Sequence, residues 1–211
     1  MIPEEFEDAR FNNYIQETET QKYLYNGITN YLKNFEQIKD TKKNSLIFLA
    51  KVGEMIIKSV PLSERARMKA QHNSYGLGKT HLQAAAGKHL IKKGYKVLMI
   101  SDKPFMDQLM EAKRADDNGA ETNRILQEVL NVDVLIWDDI GKSNLTEAKE
   151  SMYYYIINEY YRYRKVIIAS SNEDENTLGE KIGYAAADRL LGMCLDHIYA
   201  VEGESWRLKG A

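Results

Sequence analysis

The sequence predicts an α/β fold in which a central parallel sheet is flanked by helices. Short apolar runs alternate with longer helical stretches along most of the chain, as expected for parallel strands connected by helices. A glycine-rich loop stands directly before one of the predicted helices, and two adjacent carboxylates close one of the apolar runs. These observations indicate a sheet that carries a binding site at the ends of its strands.

Length and composition exclude several protein classes. A chain of 211 residues with 44% hydrophobic and 28% charged residues is ordinary for a globular protein. The formal charge of -2 provides no chain-wide basic field, so any contact with nucleic acid must be local. The single cysteine, Cys194, cannot form an internal disulfide, and no apolar run reaches the ~18 residues of a membrane span. We therefore expect a cytoplasmic protein without membrane contact.

The order of the predicted elements gives the domain organisation. Strands are predicted over residues 45–50, 97–100, 132–137, 165–170 and 197–201, and helices over residues 80–93, 103–113, 120–130 and 146–164. Residues 1–44 are predicted to be a helical lead-in, whose apolar positions are Tyr23, Leu24, Ile28, Tyr31, Leu32 and Phe35. Residues 51–72 break the alternation, and we interpret them as an insertion. We expect one domain over residues 1–211, with no separate C-terminal lid domain.

The strongest motif is the loop Asn73-Ser-Tyr-Gly-Leu-Gly-Lys-Thr80. It matches a phosphate-binding loop in every position except the first, where Asn73 replaces glycine. Gly76 and Gly78 let successive backbone N–H groups point at phosphate oxygens, and the N-terminus of the next helix adds a partial positive charge. Asparagine tolerates a positive φ angle, so the substitution is compatible with the loop. A chance glycine turn before a helix is the alternative.

Two side chains at the end of this loop carry the predicted chemistry. Lys79 is expected to contact the β- and γ-phosphates, and the Thr80 hydroxyl is expected to bind Mg2+. The residues predicted to bind the nucleotide are Asn73, Ser74, Tyr75, Gly76, Leu77, Gly78, Lys79, Thr80 and His81.

A pair of carboxylates, Asp138 and Asp139, follows the apolar run at residues 132–137. In P-loop ATPases such a strand lies beside the phosphate loop and its terminal acid holds Mg2+, a role we predict for Asp138 through water. Asp139 is predicted to polarise the water that attacks the γ-phosphate. Taken alone, an acidic pair at a strand end is as often a helix cap or a turn.

Two further polar residues are candidates for the same chemistry. Asn172 follows the strand predicted at residues 165–170 and can hydrogen-bond the γ-phosphate or the attacking water, although an N-cap or turn is the alternative. Arg189 lies in a predicted helix and can neutralise charge in the site of a neighbouring subunit. Without the other motifs, Arg189 would be interpreted as a surface arginine.

In this order, the motifs resemble the AAA+ ATPase domain of bacterial replicative-helicase loaders of the DnaC/DnaI type, with the transposition helper ATPases of the IstB type as relatives. The resemblance runs from a Pro, aromatic, Ala and Phe pattern at residues 2–14 to Ser205-Trp-Arg207. It implies a P-loop domain that binds ATP and Mg2+ and hydrolyses ATP slowly. It also implies that Arg189 is the arginine finger in a self-associated assembly, and that Arg207 belongs to a C-terminal family motif.

The resemblance also implies the partners. A loader of this type delivers a replicative DnaB-type helicase to single-stranded DNA, to which we expect weak and local contacts. An IstB-like transposition helper is the first alternative, and the sequence does not separate the two. A module that binds helicase or loader without nucleotide turnover is the second.

The second alternative is motivated by the phosphate loop. In the family the first strand runs directly into this loop. Here Ala50-Lys-Val-Gly53 begins such a loop, and the working glycines arrive about 23 residues later.

Loaders generally carry a further N-terminal helicase-binding domain, and the sequence leaves open whether this chain is a fragment or a shorter relative.

Two weaker features have more than one interpretation. The run at residues 152–165 mixes tyrosines with basic residues, which can stack on and neutralise single-stranded DNA. Packing of these tyrosines on the sheet, with their hydroxyls at the rim, is the more common arrangement. Arg65, Arg67 and Lys69 of the insertion can contact the nucleotide or DNA phosphates, or they can belong to a solvated helix.

Overall fold

A computed structural model describes residues 2–115 and 118–206. Its strands are β1 (Leu46–Ala50), β2 (Val97–Ser101), β3 (Val134–Asp138), β4 (Val166–Ser170) and β5 (Ile198–Val201). All pairings between them are parallel, and the order across the sheet is β2-β3-β4-β1-β5. The predicted α/β class with a central parallel sheet is therefore confirmed.

Burial explains why the central strands form. Every residue of β1 and β4 is buried, because helices cover both faces of the sheet. β3 begins two residues later than predicted, since Asp133 is used to fasten the turn before the strand. Its carboxylate accepts a hydrogen bond from the Lys96 backbone N–H at 2.8 Å, and its own N–H donates to the Lys96 carbonyl at 2.9 Å.

Ten helices lie in the described ranges, and most of them cover the two faces of the sheet in two groups. They are α1 (Glu19–Lys33), α2 (Phe35–Ile38), α3 (Glu54–Ser59), α4 (Leu62–Gln71), α5 (Lys79–Lys92), α6 (Asp102–Arg114), α7 (Ala120–Leu130), α8 (Glu147–Tyr163), α9 (Leu178–Ile182) and α10 (Tyr184–Cys194). One face packs against α1 and α5, and the other packs against α6 to α10. Across the described ranges, no helix combines the length and hydrophobicity that a bilayer crossing requires.

The N-terminal lead-in begins with two 3-10 turns, Glu4–Phe6 and Phe11–Asn13, and continues into α1. Of the six apolar positions predicted to face the core, five are buried and Tyr23 is 48% exposed. The prediction for Tyr23 is wrong because this residue precedes Leu24 by one position, which rotates it about 100° away from the buried stripe. Its ring contacts the edge of Tyr199 instead.

The tyrosines of helix α8 form a buried group and an exposed group. Tyr153 and Tyr160 are buried, and their hydroxyls donate to the Asp102 carboxylate and to the Val129 carbonyl. The expectation of hydroxyls at the rim is therefore wrong for these two residues, since both hydroxyls have partners within the core. The other tyrosines of this helix, Tyr154, Tyr155, Tyr161 and Tyr163, are exposed.

The insertion at residues 51–72 forms the short helices α3 and α4. Helix α4 buries none of its residues, and α3 buries only Ile57. Most of the insertion is therefore independent of the two hydrophobic clusters that hold the sheet.

The two ends of the insertion lie against one short segment at the end of β5. The Glu202 carboxylate contacts the Lys51 ammonium at 3.3 Å and the His72 ring nitrogen Nδ1 at 2.9 Å. The Gly203 backbone N–H donates to the Asn73 carbonyl at 2.8 Å. Because both ends meet the same segment, the insertion leaves the domain and returns to it at nearly the same place.

This geometry predicts that the insertion can be removed. Deleting residues 54–76, which removes residues 73–76 of the present loop together with most of the insertion, joins Gly53 to Leu77 and produces the spacing of an uninterrupted phosphate loop from Ala50 to Thr80. We expect the variant to fold, because Ile57 is the only buried apolar side chain among the deleted residues and its loss costs about 2 kcal/mol. This corresponds to a fall of about 4–8 °C in the thermal midpoint, measured by far-ultraviolet circular dichroism. Aggregation or loss of the cooperative transition would show that the insertion is part of the core.

Candidate functional site

The phosphate loop turns at its two glycines. Gly76 has a φ angle of 68° and Gly78 a φ angle of 86°, both in the left-handed region that favours glycine. A Cβ atom on Gly78 would lie 2.5 Å from the Tyr14 ring. Among the described residues, the backbone N–H groups of residues 76–80 have no hydrogen-bond acceptor. A row of free N–H groups at the start of α5 is the arrangement that binds an anion.

Asn73 stabilises the loop in a way that differs from the prediction. Its φ angle is not positive, so tolerance of that conformation does not explain its presence. Its side-chain amide instead donates to the Tyr75 carbonyl at 2.9 Å and to the Gly203 carbonyl at 2.7 Å. Asn73 therefore holds the loop against the segment after β5.

The Lys79 side chain is buried at the centre of the site. Its ammonium donates to the Ser171 carbonyl at 3.1 Å and to the Asn172 amide oxygen at 2.9 Å. Burial lowers the pKa of Lys79 to about 8, although the charges of Asp139 and Asp138 oppose this shift. At neutral pH the group therefore remains mostly charged, and a phosphate would further favour the charged form.

Thr80 lies in the first turn of α5 and contacts Asp138, the last residue of β3. The Thr80 hydroxyl is 3.0 and 3.1 Å from the two carboxylate oxygens of Asp138. Ser170 donates to the same carboxylate at 2.8 Å. Burial and the neighbouring Asp139 raise the pKa of Asp138. A hydroxyl and a carboxylate are hard oxygen ligands, so this pair fits Mg2+.

Asn172 connects the lysine to the second carboxylate. Its amide nitrogen donates to Asp139 at 3.0 Å, and its amide oxygen accepts from Lys79 and, at 3.1 Å, from the Ser74 hydroxyl. Asp174, not Asn172, accepts the backbone N–H groups of the following turn. The structure therefore places Asn172 in the site, where its sensor role stays a prediction. Asp139 has a φ angle of 54°, which turns the chain sharply after β3.

A cavity of about 280 Å³ opens beside the loop. Its walls are Phe6, Asn13, Tyr14, Ile15, Gln21, residues 74–81, Asp139, Asn172 and Trp206. One wall is therefore the phosphate loop and the other is largely aromatic or apolar. The Tyr14 hydroxyl donates to the Leu77 carbonyl at 2.9 Å, and the His81 ring lies 5.5 Å from the Tyr14 ring. The residues of this second wall are not predicted as site residues from the sequence, where residues 2–14 show only a pattern that resembles the family.

The insertion is also fastened to the loop itself. The Tyr75 hydroxyl donates to Glu54 of α3, and the ammonium of Lys142 lies 3.6 Å from the same carboxylate. Burial raises the pKa of Glu54, but hydrogen bonds from Lys58 and Tyr75 and the charge of Lys142 bring it to about 2. Glu54 is therefore ionised at neutral pH and ties the insertion to the loop.

One predicted residue lies apart from this cluster, and another is not described. Arg189 is on α10 and does not line the cavity. Arg207 lies outside the described residues. The remaining predicted side chains, from Ser74 to His81 together with Asp138, Asp139 and Asn172, lie around or directly behind the cavity.

Comparison with known proteins gives a family and several relatives. The sequence model of the family described as IstB-like ATP binding protein matches residues 59–211. An ATP-binding protein of insertion sequence IS21 from Pseudomonas aeruginosa is 33% identical over 137 residues, which cover 64% of this chain and 50% of that protein. Protein YqaM of Bacillus subtilis (strain 168) is 27% identical over 216 residues, covering 98% of this chain and 59% of that protein. The chain thus spans little more than half the length of these relatives.

The fold is also similar to that of a solved protein, the DnaC helicase loader. The TM-score is 0.70 at 21% sequence identity, and the likeness covers 95% of this chain and 100% of that chain. At this level of identity the likeness concerns the fold alone.

The loop geometry predicts a specific cost for a methyl group at Gly78. Gly78→Ala places a Cβ against the Tyr14 ring in a left-handed conformation, so we expect a loss of about 1–3 kcal/mol in the free energy of unfolding. Gly192→Ala is the matched control, because nothing lies within 4 Å of its added Cβ and the residue is helical. The control should be neutral or more stable by about 0.5–1 kcal/mol. Equal stability of the two variants in urea titrations would contradict the described loop.

Proposed function

Because the chain belongs to the family of IstB-like ATP-binding proteins, as its match over residues 59–211 shows, we propose that it binds ATP with Mg2+ and hydrolyses ATP slowly to load a replicative helicase. One observation carries the nucleotide part of this proposal. Three kinds of group lie together at one end of the sheet: the free N–H groups of the loop, the buried Lys79 ammonium, and the carboxylates of Asp138 and Asp139.

The two walls of the cavity bind different parts of the nucleotide. The triphosphate is held by the backbone N–H groups of residues 76–80 and by Lys79, which exchanges its hydrogen bond to Asn172 for a phosphate oxygen. The aromatic wall, with Tyr14 and Trp206, takes the apolar part of the nucleotide. His81 borders both walls.

Thr80 and Asp138 would hold Mg2+, which neutralises charge on the phosphate oxygens. To do so, the Thr80 hydroxyl turns its proton away from the carboxylate that it now contacts. Ser170 keeps its hydrogen bond to Asp138 and maintains the orientation of that carboxylate.

Hydrolysis requires a water molecule in line with the bond that breaks. The water oxygen attacks the γ-phosphorus, the bond to the β-phosphate oxygen breaks, and ADP leaves. Asp139 orients the water and accepts its proton, and Asn172 holds Asp139 while contacting the γ-phosphate. Arg189 of a neighbouring copy supplies the remaining positive charge.

The partners in this proposal are a DnaB-type helicase and single-stranded DNA. The fold shared with the DnaC helicase loader supports this choice by analogy. DNA contacts would be weak and local, since the net charge is -2. A transposition helper is the second candidate, and the relative from insertion sequence IS21 favours it.

Removal of the Lys79 ammonium tests the nucleotide site. Lys79→Ala should abolish ATP binding in a calorimetric titration with Mg2+, since the loop loses its only buried cation among the described residues. Lys92→Ala, an exposed position at the end of the same helix, is the matched control and should bind as the parent does. Undiminished affinity of Lys79→Ala would refute the site. A parent without any ATP affinity would favour the module that lacks turnover.

Capture of the helicase tests the biological role. The immobilised protein should retain the host replicative helicase to a different extent with ATP, with ADP and without nucleotide. Lys79→Ala should retain it equally in the three conditions. Equal capture by the parent would contradict nucleotide-gated loading, and retention of a transposase in place of the helicase would support the second candidate.

A further inference from the structure

The guanidinium of Arg189 rests on exposed aromatic rings. Its central carbon lies 4.6 Å from the ring centroid of Tyr154 and 6.0 Å from that of Tyr161. The two tyrosines are seven positions apart on α8, so they share one face of that helix. Arg189 therefore bridges α10 and α8 through its charged group.

This guanidinium has no carboxylate partner within the described residues. One of its nitrogens donates to the Ala185 carbonyl at 3.2 Å, and the ion pairs of neighbouring helices involve other cations. A cation over an aromatic face keeps its charge, because the ring does not neutralise it. The remaining N–H groups of Arg189 are thus oriented and available to an anion.

We infer that Tyr154 and Tyr161 are positioning residues that hold Arg189 for the phosphates of a nucleotide bound to a second copy of this chain. The inference rests on the proposed function, in which Arg189 acts between copies. The inference is supported by the position of Arg189, which does not line the cavity of its own chain. The anion that Arg189 contacts is therefore not the one bound by the loop of the same chain.

The charges of this surface favour one phosphate group over a DNA strand. A DNA backbone requires several unneutralised cations in a row. Here the charge of Arg162, on the same helix as the two tyrosines, is paired with Glu159 at 3.3 Å. Arg189 has no such carboxylate partner among the described residues, and one unpaired guanidinium suits a single terminal phosphate.

The tyrosine rings provide orientation beyond what the α10 backbone gives. A free arginine side chain populates many rotamers, and contact with two rings restricts them before the second copy arrives. Both rings are partly exposed, Tyr154 at 39% and Tyr161 at 44%, so the pair lies on an accessible surface. Replacing the rings should therefore affect catalysis without disrupting the core.

The test compares ring removal with ring retention. In the double variant Tyr154→Leu, Tyr161→Leu, kcat for ATP hydrolysis should fall about 10-fold, with the ATP affinity in a titration unchanged. In the double variant Tyr154→Phe, Tyr161→Phe, which keeps both rings, kcat should remain close to that of the parent. Thermal unfolding of both variants verifies that they are folded.

Mixing variants locates the effect between copies. Lys79→Ala retains an intact Arg189, and Arg189→Ala retains an intact nucleotide site, so a mixture of the two should recover activity that neither has alone. Adding Tyr154→Leu and Tyr161→Leu to the Lys79→Ala chain should reduce that recovery about 10-fold.

Each outcome decides a different point. Without recovery in the first mixture, or without ATP hydrolysis by the parent, the proposed function fails and the inference fails with it. With equal recovery in both mixtures, the inference alone is overturned. If the leucine variant keeps full kcat but no longer binds a fluorescent single-stranded oligonucleotide, the surface contacts DNA and the inference is again overturned.

Discussion

The buried ammonium of Lys79 is the constraint on which the rest of the site depends. Withdrawing a charge from water is costly unless polar groups replace the solvent. Here the Ser171 carbonyl and the Asn172 amide oxygen accept its hydrogen bonds, and the carboxylates of Asp138 and Asp139 supply the opposite charge. These groups follow or end β3 and β4, so the strand order β3-β4-β1 is what allows this lysine to be buried.

The fold and the polar residues at the strand ends of the site follow from local patterns in the sequence. Apolar runs predict the strands, and the polar residues after them, such as Asp138 and Asn172, must meet because parallel strands end at one edge. The contacts that could not be predicted join distant segments. Asn73 contacts Gly203, and Arg189 contacts Tyr154, through pairings that leave no periodic signal along the chain. Only tertiary packing determines them.

The two walls of the cavity have different origins along the chain. The phosphate loop and the residues that face it lie inside residues 59–211, the range matched by the family. The aromatic wall comes largely from residues before this range, including Phe6 and Tyr14. In the proposed function, the chemistry on the phosphates therefore belongs to the part shared with the family, whereas the recognition of the rest of the nucleotide depends on the N-terminal lead-in.

The anchoring of the insertion by Glu202 and Gly203 has an evolutionary consequence. Since a single segment holds both ends and α4 buries none of its residues, the length of the α4 part of the insertion is not fixed by packing against the domain. Lengthening such an excursion adds little entropic cost, because closure entropy rises only with the logarithm of loop length. Related chains can thus carry a different peripheral helix at this position while the phosphate loop keeps its conformation.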